Sequence, residues 1–263
     1  MIVFKRIKLS RFNKYKRFLI FLQFRQNSTP TEASILINQL SLQNNLQSKY
    51  LEIGVESGRT LQDVKIRKKF AVDPYFHFNT MFQGQTYRFH KTDSDTFFKK
   101  ISNTSHMFEI IFLDGLHTYE QTYKDLQNSI KFVSKNSIII VDDTIPNDES
   151  SSLPDQNACY EMRKSQGNAH DLRWHGDVYK VICALSILNV PEIHWATLID
   201  LENPKTVIWL GNSEKGEWPS LPNVQSNILE QYDFEKCFKP LINAMFNPMT
   251  QLELLNKLKV MKR

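Results

Sequence analysis

The sequence predicts an α/β fold: a doubly wound, mostly parallel sheet of seven strands with an antiparallel terminal strand. Three observations carry that expectation. From residue 48 onward, short apolar runs alternate with helical stretches. The runs at 110–114 (IIFLD) and 138–142 (IIIVD) are apolar throughout, as parallel strands covered on both faces are. A glycine-containing turn follows the first run, and acids end several of the others.

The elements follow in order. In residues 1–26, Phe12, Tyr15, Leu19 and Leu22 recur at spacings of three and four, with Lys and Arg on much of the opposite face. That is a basic amphipathic helix, suited to docking on the domain or to peripheral contact with an anionic membrane. Residues 26–32 (QNSTPTE) read as a linker, with Thr31 as N-cap of a helix over 32–46. Strands are expected at 50–55 (YLEIGV), 70–73 (FAVD), 86–90 (TYRFH), 110–114 and 138–142, with helices over 59–68, 94–102 and 119–133. Residues 145–157, rich in Pro, Ser, Asp and Asn, predict a mobile loop. A helix over 174–189 follows, then an antiparallel pair at 194–200 (HWATLID) and 206–210 (TVIWL) joined by a turn at 202–205. The tail carries a helix near 249–261. The expected organisation is an extension over 1–30, a domain over 31–212 and a helical accessory segment over 213–263.

Charge narrows the function classes. Eight of the 33 basic residues fall within residues 1–26, which hold no acid. The remainder has 25 basic against 28 acidic residues, a net charge of −3. A slightly acidic body argues against nucleic acid as partner, because that needs a basic face on the fold itself. Three dispersed cysteines exclude a disulfide scaffold and a cysteine-rich zinc module, and fit a reducing, cytoplasmic setting. No apolar run approaches the ~20 residues that span a bilayer.

Chemistry concentrates where glycine is spent. Only eight of 263 residues are glycine, and two of them, Gly54 and Gly58, share the turn Glu52-Ile53-Gly54-Val55-Glu56-Ser57-Gly58. In an open α/β sheet, ligands bind beyond the carboxyl ends of the strands, and a glycine there permits close backbone approach. The spacing is G-x-x-x-G, with Glu56 where a dinucleotide fingerprint has its middle glycine. A carboxylate at that place repels a pyrophosphate, which argues against a nicotinamide-dependent oxidoreductase. The acidic turn suits a cationic ligand without phosphates, such as S-adenosylmethionine.

These features resemble a known family. E-x-G-x-x-x-G, Val72-Asp73-Pro74, the run Phe112-Leu113-Asp114-Gly115-Leu116-His117-Thr118-Tyr119-Glu120, Ile140-Val141-Asp142-Asp143-Thr144 and Gly176-Asp177-Val178-Tyr179-Lys180 are similar to the class I S-adenosylmethionine-dependent methyltransferases. The nearest group is methyltransferase domain 24, and the resemblance spans about residues 48–212. It implies a Rossmann-like fold and methyl transfer from S-adenosylmethionine to an oxygen of a small hydroxylated acceptor, such as a sugar. By position it implies that Glu52 and Gly54, in the turn with Glu56 and Gly58, hold the methionine part. Asp73 binds the ribose, and Asp93 or Ser94 lies beside the adenine. Asp73 also stands ~20 residues from the glycine turn, the interval of a ribose acid.

Asp114, Asp142 and Asp143 end adjacent strands and converge on one crevice. Unpaired, they raise one another's pKa, and a divalent cation such as magnesium relieves the repulsion. The arrangement is similar to the metal site of catechol-type and antibiotic-sugar O-methyltransferases, where the metal eases deprotonation of the acceptor hydroxyl. The competing reading has Asp142 or Asp143 capping a segment or pairing with a lysine. His117 is the candidate base, with an ordinary pKa of about 6.5; its alternative is to start the helix at Thr118. Where some sugar O-methyltransferases place an acid, this chain has Leu116. His175 and Asp177 are candidates for the acceptor side. A binding or scaffold protein that kept the fold and lost catalysis is the second functional class the sequence admits.

Overall fold

The computed structural model describes residues 29–80, 86–211, 216–235 and 242–260, so the basic helix expected over 1–26 lies outside the described residues. The chain forms α1 (Glu32–Asn44), β1 (Lys49–Ile53), α2 (Arg59–Asp63), β2 (Lys68–Val72), β3 (Tyr87–His90), α3 (Ser94–Ile101), β4 (Phe108–Leu113) and α4 (Tyr119–Ser129). It continues through β5 (Val133–Val141), α5 (Gln156–Ser165), α6 (Tyr179–Leu188), β6 (Ile193–Leu198), β7 (Lys205–Leu210), β8 (Pro248–Met249) and α7 (Gln251–Val260). Thr31 caps α1 as its sequence position suggests, its Oγ1 accepting from the Ser34 N–H at 3.1 Å.

The sheet order is β3-β2-β1-β4-β5-β7-β6-β8. Strands β1 to β5 pair in parallel, and β7 runs antiparallel to both β5 and β6. Among the described residues the sheet therefore has eight strands, not the seven expected. The eighth is the two-residue β8, parallel to β6 at the sheet edge. Two residues show no periodicity, and a proline is tolerated at an edge because no neighbour needs its missing N–H.

Successive residues of the central strands feed opposite cores. Ile110, Phe112, Ile138 and Ile140 pack with Leu36 and Leu40 of α1 and with Leu254 of α7. Ile111, Leu113, Ile139 and Val141 pack with Phe97, Leu126 and Ile182 on the other face. That two-sided burial is the reason the runs are apolar throughout. The tail joins both cores: Leu254 and Leu258 enter the first, and Leu221, Leu229 and Phe246 the second.

Two local expectations change. The helix expected over 59–68 stops at Asp63, where the Asn38 side chain donates to the Asp63 carbonyl at 2.9 Å and accepts from the Lys65 N–H at 2.7 Å. The 145–157 stretch is not a loose loop: Ser150–Ser152 form a buried 3-10 turn, and Asp155 caps α5. Arg163 of α5, 1% exposed, anchors this region. Its guanidinium donates to Asp148 at 3.1 Å and to the carbonyls of Asp171, at 2.9 Å, and Arg173. Among the described residues no helix is long and apolar enough to cross a membrane.

Candidate active site at the carboxyl edge of the sheet

Registers such as Ile53↔Val72, Ile53↔Leu113 and Leu113↔Val141 end β1, β2, β4 and β5 at one level. The turns beyond them enclose a cleft of ≈800 Å³ at the point where strand order reverses, between β1 and β4. Glu52, Gly54, Glu56, Asp73, Asp93, Ser94, Asp114, His117, Asp142 and Asp143 all line it. Gly58 is not among the lining residues. It caps α2 at φ 72°, where an added Cβ would lie 2.7 Å from the Phe78 ring.

At the β1–β2 end, Gly54 has φ 80°, and a Cβ there would lie 1.7 Å from the Asp114 carbonyl oxygen. The close approach that requires glycine is thus between two turns of the protein itself. Glu56 also takes a positive φ, 45°, and its side chain stands largely exposed near His77. Asp73 shapes the turn: Oδ2 accepts from the Val55 and Glu56 N–H groups, each at 2.8 Å, and Oδ1 from the Tyr75 N–H at 2.7 Å. Glu52 is 2% exposed and accepts from the Tyr50 hydroxyl at 2.6 Å. Burial pushes its carboxyl up to about 8, against the lowering pull of Tyr50 and Lys69. Asp93 caps α3, accepting from the Thr96 N–H at 2.7 Å, and that bond lowers its pKa.

Sequence reasoning missed Gln121 and Asp125, which also line the cleft. They lie one turn apart on α4, and Gln121 donates to Ser94 and Asp125, both at 3.1 Å. Burial raises Asp125 to about 6. The four-residue spacing was the available signal, but it looks like any polar pair on a helix.

At the β4–β5 end the acids are compensated by side chains. Lys205 Nζ lies 2.8 Å from Asp142 Oδ1, and Asn203 Nδ2 donates to Asp142 at 3.0 Å and to Asp143 at 2.8 Å. Burial raises Asp142 to about 6, with Lys205 opposing. Desolvation in the cleft, then Asp142 and Asp143, hold Asp114 well above the carboxylate range. His117 Nδ1 lies 3.0 Å from Asp143 Oδ2 and 2.9 Å from the Trp174 carbonyl, and its Nε2 lies 3.7 Å from Asp114. Desolvation works against the imidazolium, but the Asp143 hydrogen bond and the Asp143 and Asp114 charges push His117 up to about 10. In this state the ring holds a proton at neutral pH. The reciprocal bond holds Asp143 below its ordinary value despite burial.

The segment after α5 is fastened over these acids. Gly176, at φ 65°, passes so near the His117 carbonyl that a Cβ would lie 1.5 Å from it. His175 lies in a smaller cavity of ≈240 Å³ that shares Asp143, Trp174 and Asn203 with the main cleft. Asp177 accepts from the Tyr119 N–H at 2.7 Å and lines neither of these two cavities. The lysine weighed as a partner for Asp142 or Asp143 is Lys205, paired with Asp142; Asn203 and Trp174 carried no signal, and all three come from segments remote in sequence.

The donors suit the groups the sequence implies. The cleft is lined by carboxylates and amides, a chemistry that would suit a cationic nucleoside, and one ligand atom each from Asp114, His117 and Asp143 lie within 4.8 Å of one another. That group contains His117 and omits Asp142, which faces Lys205.

Residues 51–144 match the family model of a methyltransferase domain, methyltransferase 24. No curated protein matches the chain. Similar solved structures include the O-methyltransferase from Bacillus cereus in complex with SAH, 13% identical over 70% of this chain and 83% of that one, with a TM-score of 0.44. Another is the O-methyltransferase TomG from Streptomyces achromogenes in complex with SAM, 10% identical over 72% and 82%, TM-score 0.47. A third is the MycE methyltransferase in complex with Mg, SAH and mycinamycin VI, 14% identical over 74% and 58%, TM-score 0.45. All three fall below 0.5, so the family match and the site's own residues carry the functional reading. The matched stretch, residues 51–144, holds Glu52, Asp73, Asp114, Asp142 and Asp143 of the cleft, so what the family match covers is the strand-end acids themselves.

Proposed function

We propose that the protein transfers the methyl group of S-adenosylmethionine to an oxygen of a small hydroxylated acceptor, with help from a divalent cation. The observation that carries this reading is the gathering of Glu52, Asp73, Asp114 and Asp143 around one cleft at the strand-order reversal. When bound, S-adenosylmethionine supplies an activated methyl carbon whose in-line displacement demands collinear positioning at near-attack distance. When bound, a cation at the acid cluster supplies Lewis acidity that favours the anionic form of the acceptor hydroxyl.

The chain's residues divide the remaining work. Glu52, neutral while buried alone, ionises beside the ligand's ammonium and pairs with it. Asp73 holds the Val55 and Glu56 N–H groups in the turn and keeps its remaining lone pairs for the ribose hydroxyls. Ser94, Gln121 and Asp125 form the wall assigned to the adenine. Asp114 and Asp143 face the acceptor end, where Trp174, stacked on His117 at 5.1 Å between ring centres, closes one side.

Calorimetric titration with S-adenosylmethionine tests the first half, and absence of binding would overturn the proposal. The second half is tested by incubating the protein and S-adenosylmethionine with pooled hydroxylated metabolites, with and without a divalent cation. Mass spectrometry should then show a gain of one CH2 that depends on the cation.

A further inference from the structure

We infer that the acid cluster is a mixed nitrogen–oxygen metal site, made by Asp114, His117 and Asp143 without Asp142, and that it takes a first-row transition ion in preference to magnesium. The inference rests on the methyl-transfer reading for the metal's role, while the donor set is argued from geometry.

The three carboxylates are not equivalent. Asp142 is 7% exposed and is bound by Lys205 at 2.8 Å and Asn203 at 3.0 Å. Lys205 is itself 3% exposed; besides Asp142, its ammonium donates to the Asn203 carbonyl at 2.9 Å. Drawing Asp142 onto a metal would strand a buried cation, and breaking such a pair is costly. A set of Asp114, His117 and Asp143 leaves that pair intact; it requires His117 to give up the proton it shares with Asp143, and the metal's own charge then takes the place of the imidazolium beside the carboxylate.

Spacing favours the same set. One donor atom from each of the three residues lies within 4.8 Å of the others. Donors around a first-row ion at ~2.1 Å stand about 3–4 Å apart, so modest side-chain movement closes the set. Groups behind the ligands orient them. Asn203 Nδ2 donates to Asp143 at 2.8 Å, and the Trp174 carbonyl and ring fix the His117 imidazole. His175 stands behind Asp143, with Nε2 4.0 Å from its Oδ1. Its side chain is 5% exposed, and its buried Nδ1 has no hydrogen-bond partner among the described residues. Its Nε2, the nitrogen that faces Asp143, is thus a reserve donor behind the cluster, while the unpartnered Nδ1 points away from it, in the ring that lines the smaller cavity.

The chemistry of the donors sets the class of ion. Magnesium favours oxygen and keeps its waters, whereas imidazole suits zinc, copper, iron or nickel; manganese(II), which suits the two carboxylates, reports a coordinated imidazole spectroscopically.

The test uses the full chain with manganese(II) as probe, followed by electron paramagnetic resonance, with magnesium as competitor. Manganese should bind at least about tenfold more tightly than magnesium. Electron spin-echo spectra of the unmutated protein should show nitrogen-14 modulation from a coordinated imidazole. His117→Gln should abolish that modulation and weaken manganese binding by about 10–100-fold, while Asp142→Asn should change affinity by less than about threefold. An oxygen-only spectrum, equal affinity for magnesium, or binding of neither ion overturns the inference, and the spectrum of the unmutated chain decides even if a variant fails to fold. S-adenosylmethionine titrated in the absence of metal separates the two readings. Cofactor binding without the nitrogen signal sinks the metal site alone, and the nitrogen signal without cofactor binding sinks the methyl-transfer reading alone.

Discussion

At the β1–β2 end of the cleft, the acids are managed by groups close in sequence. Asp73 takes three backbone N–H groups from residues 55, 56 and 75, and Glu52 takes the hydroxyl of Tyr50. At the β4–β5 end, Asp142 and Asp143 rely on Asn203, Lys205 and His117, brought in from other segments. The first end is a prefolded turn whose charges are satisfied by backbone or kept protonated. The second is an assembly of opposite charges: Lys205 beside Asp142 and His117 beside Asp143. Under the proposed methyl transfer, the first end would hold the cofactor and the second would face the acceptor.

Four substitutions test this contrast. Gly54→Ala strikes the seam between the two ends, because its Cβ would lie 1.7 Å from the Asp114 carbonyl. It should cost more than ~5 kcal/mol or prevent folding, read by urea unfolding. Lys205→Met attacks the second end alone. It leaves Asp142 buried and uncompensated and should cost ~3–5 kcal/mol at pH 8. The loss should shrink below pH 5, where Asp142 can bind a proton, and an equal loss at both pH values would argue against the ion pair.

Glu52→Gln probes the first end. The folded-state carboxyl titrates at about 8 against an ordinary 4.5. The native protein therefore loses stability as pH rises from the lower value through the upper, while the amide of the variant does not titrate. The variant's relative stability should grow across that window by up to ~5 kcal/mol in urea titrations. S-adenosylmethionine binding at pH 7 should release a proton from the native chain, seen as a heat that varies with buffer ionisation, and not from the variant. Asp73→Ala has the smallest expected effect, ~2 kcal/mol from three N–H groups losing their acceptor, with weakened cofactor binding. Unchanged affinity would remove Asp73 from the ribose role.

What could be read from the sequence follows the same division. Runs such as IIFLD and IIIVD announce central strands because burial on both faces forces them to be apolar, and strand-end acids must meet at one edge. Asp142's partner could not be read: Lys205 sits 63 positions away, and its placement depends on β7 threading between β5 and β6. The helix Gln156–Ser165 was hidden because its fully buried residues are Cys159 and Arg163, a pattern that looks polar. Arg163 is tolerated inside only because Asp148 and two carbonyls receive it.

That buried guanidinium also fixes a neighbour of the cleft. It ties residues 148, 171 and 173 to one helix, and the next residue, Trp174, lines the cleft and stacks on His117. Removing the Arg163 charge would therefore be felt at the Trp174 ring, although Arg163 itself does not line the cleft.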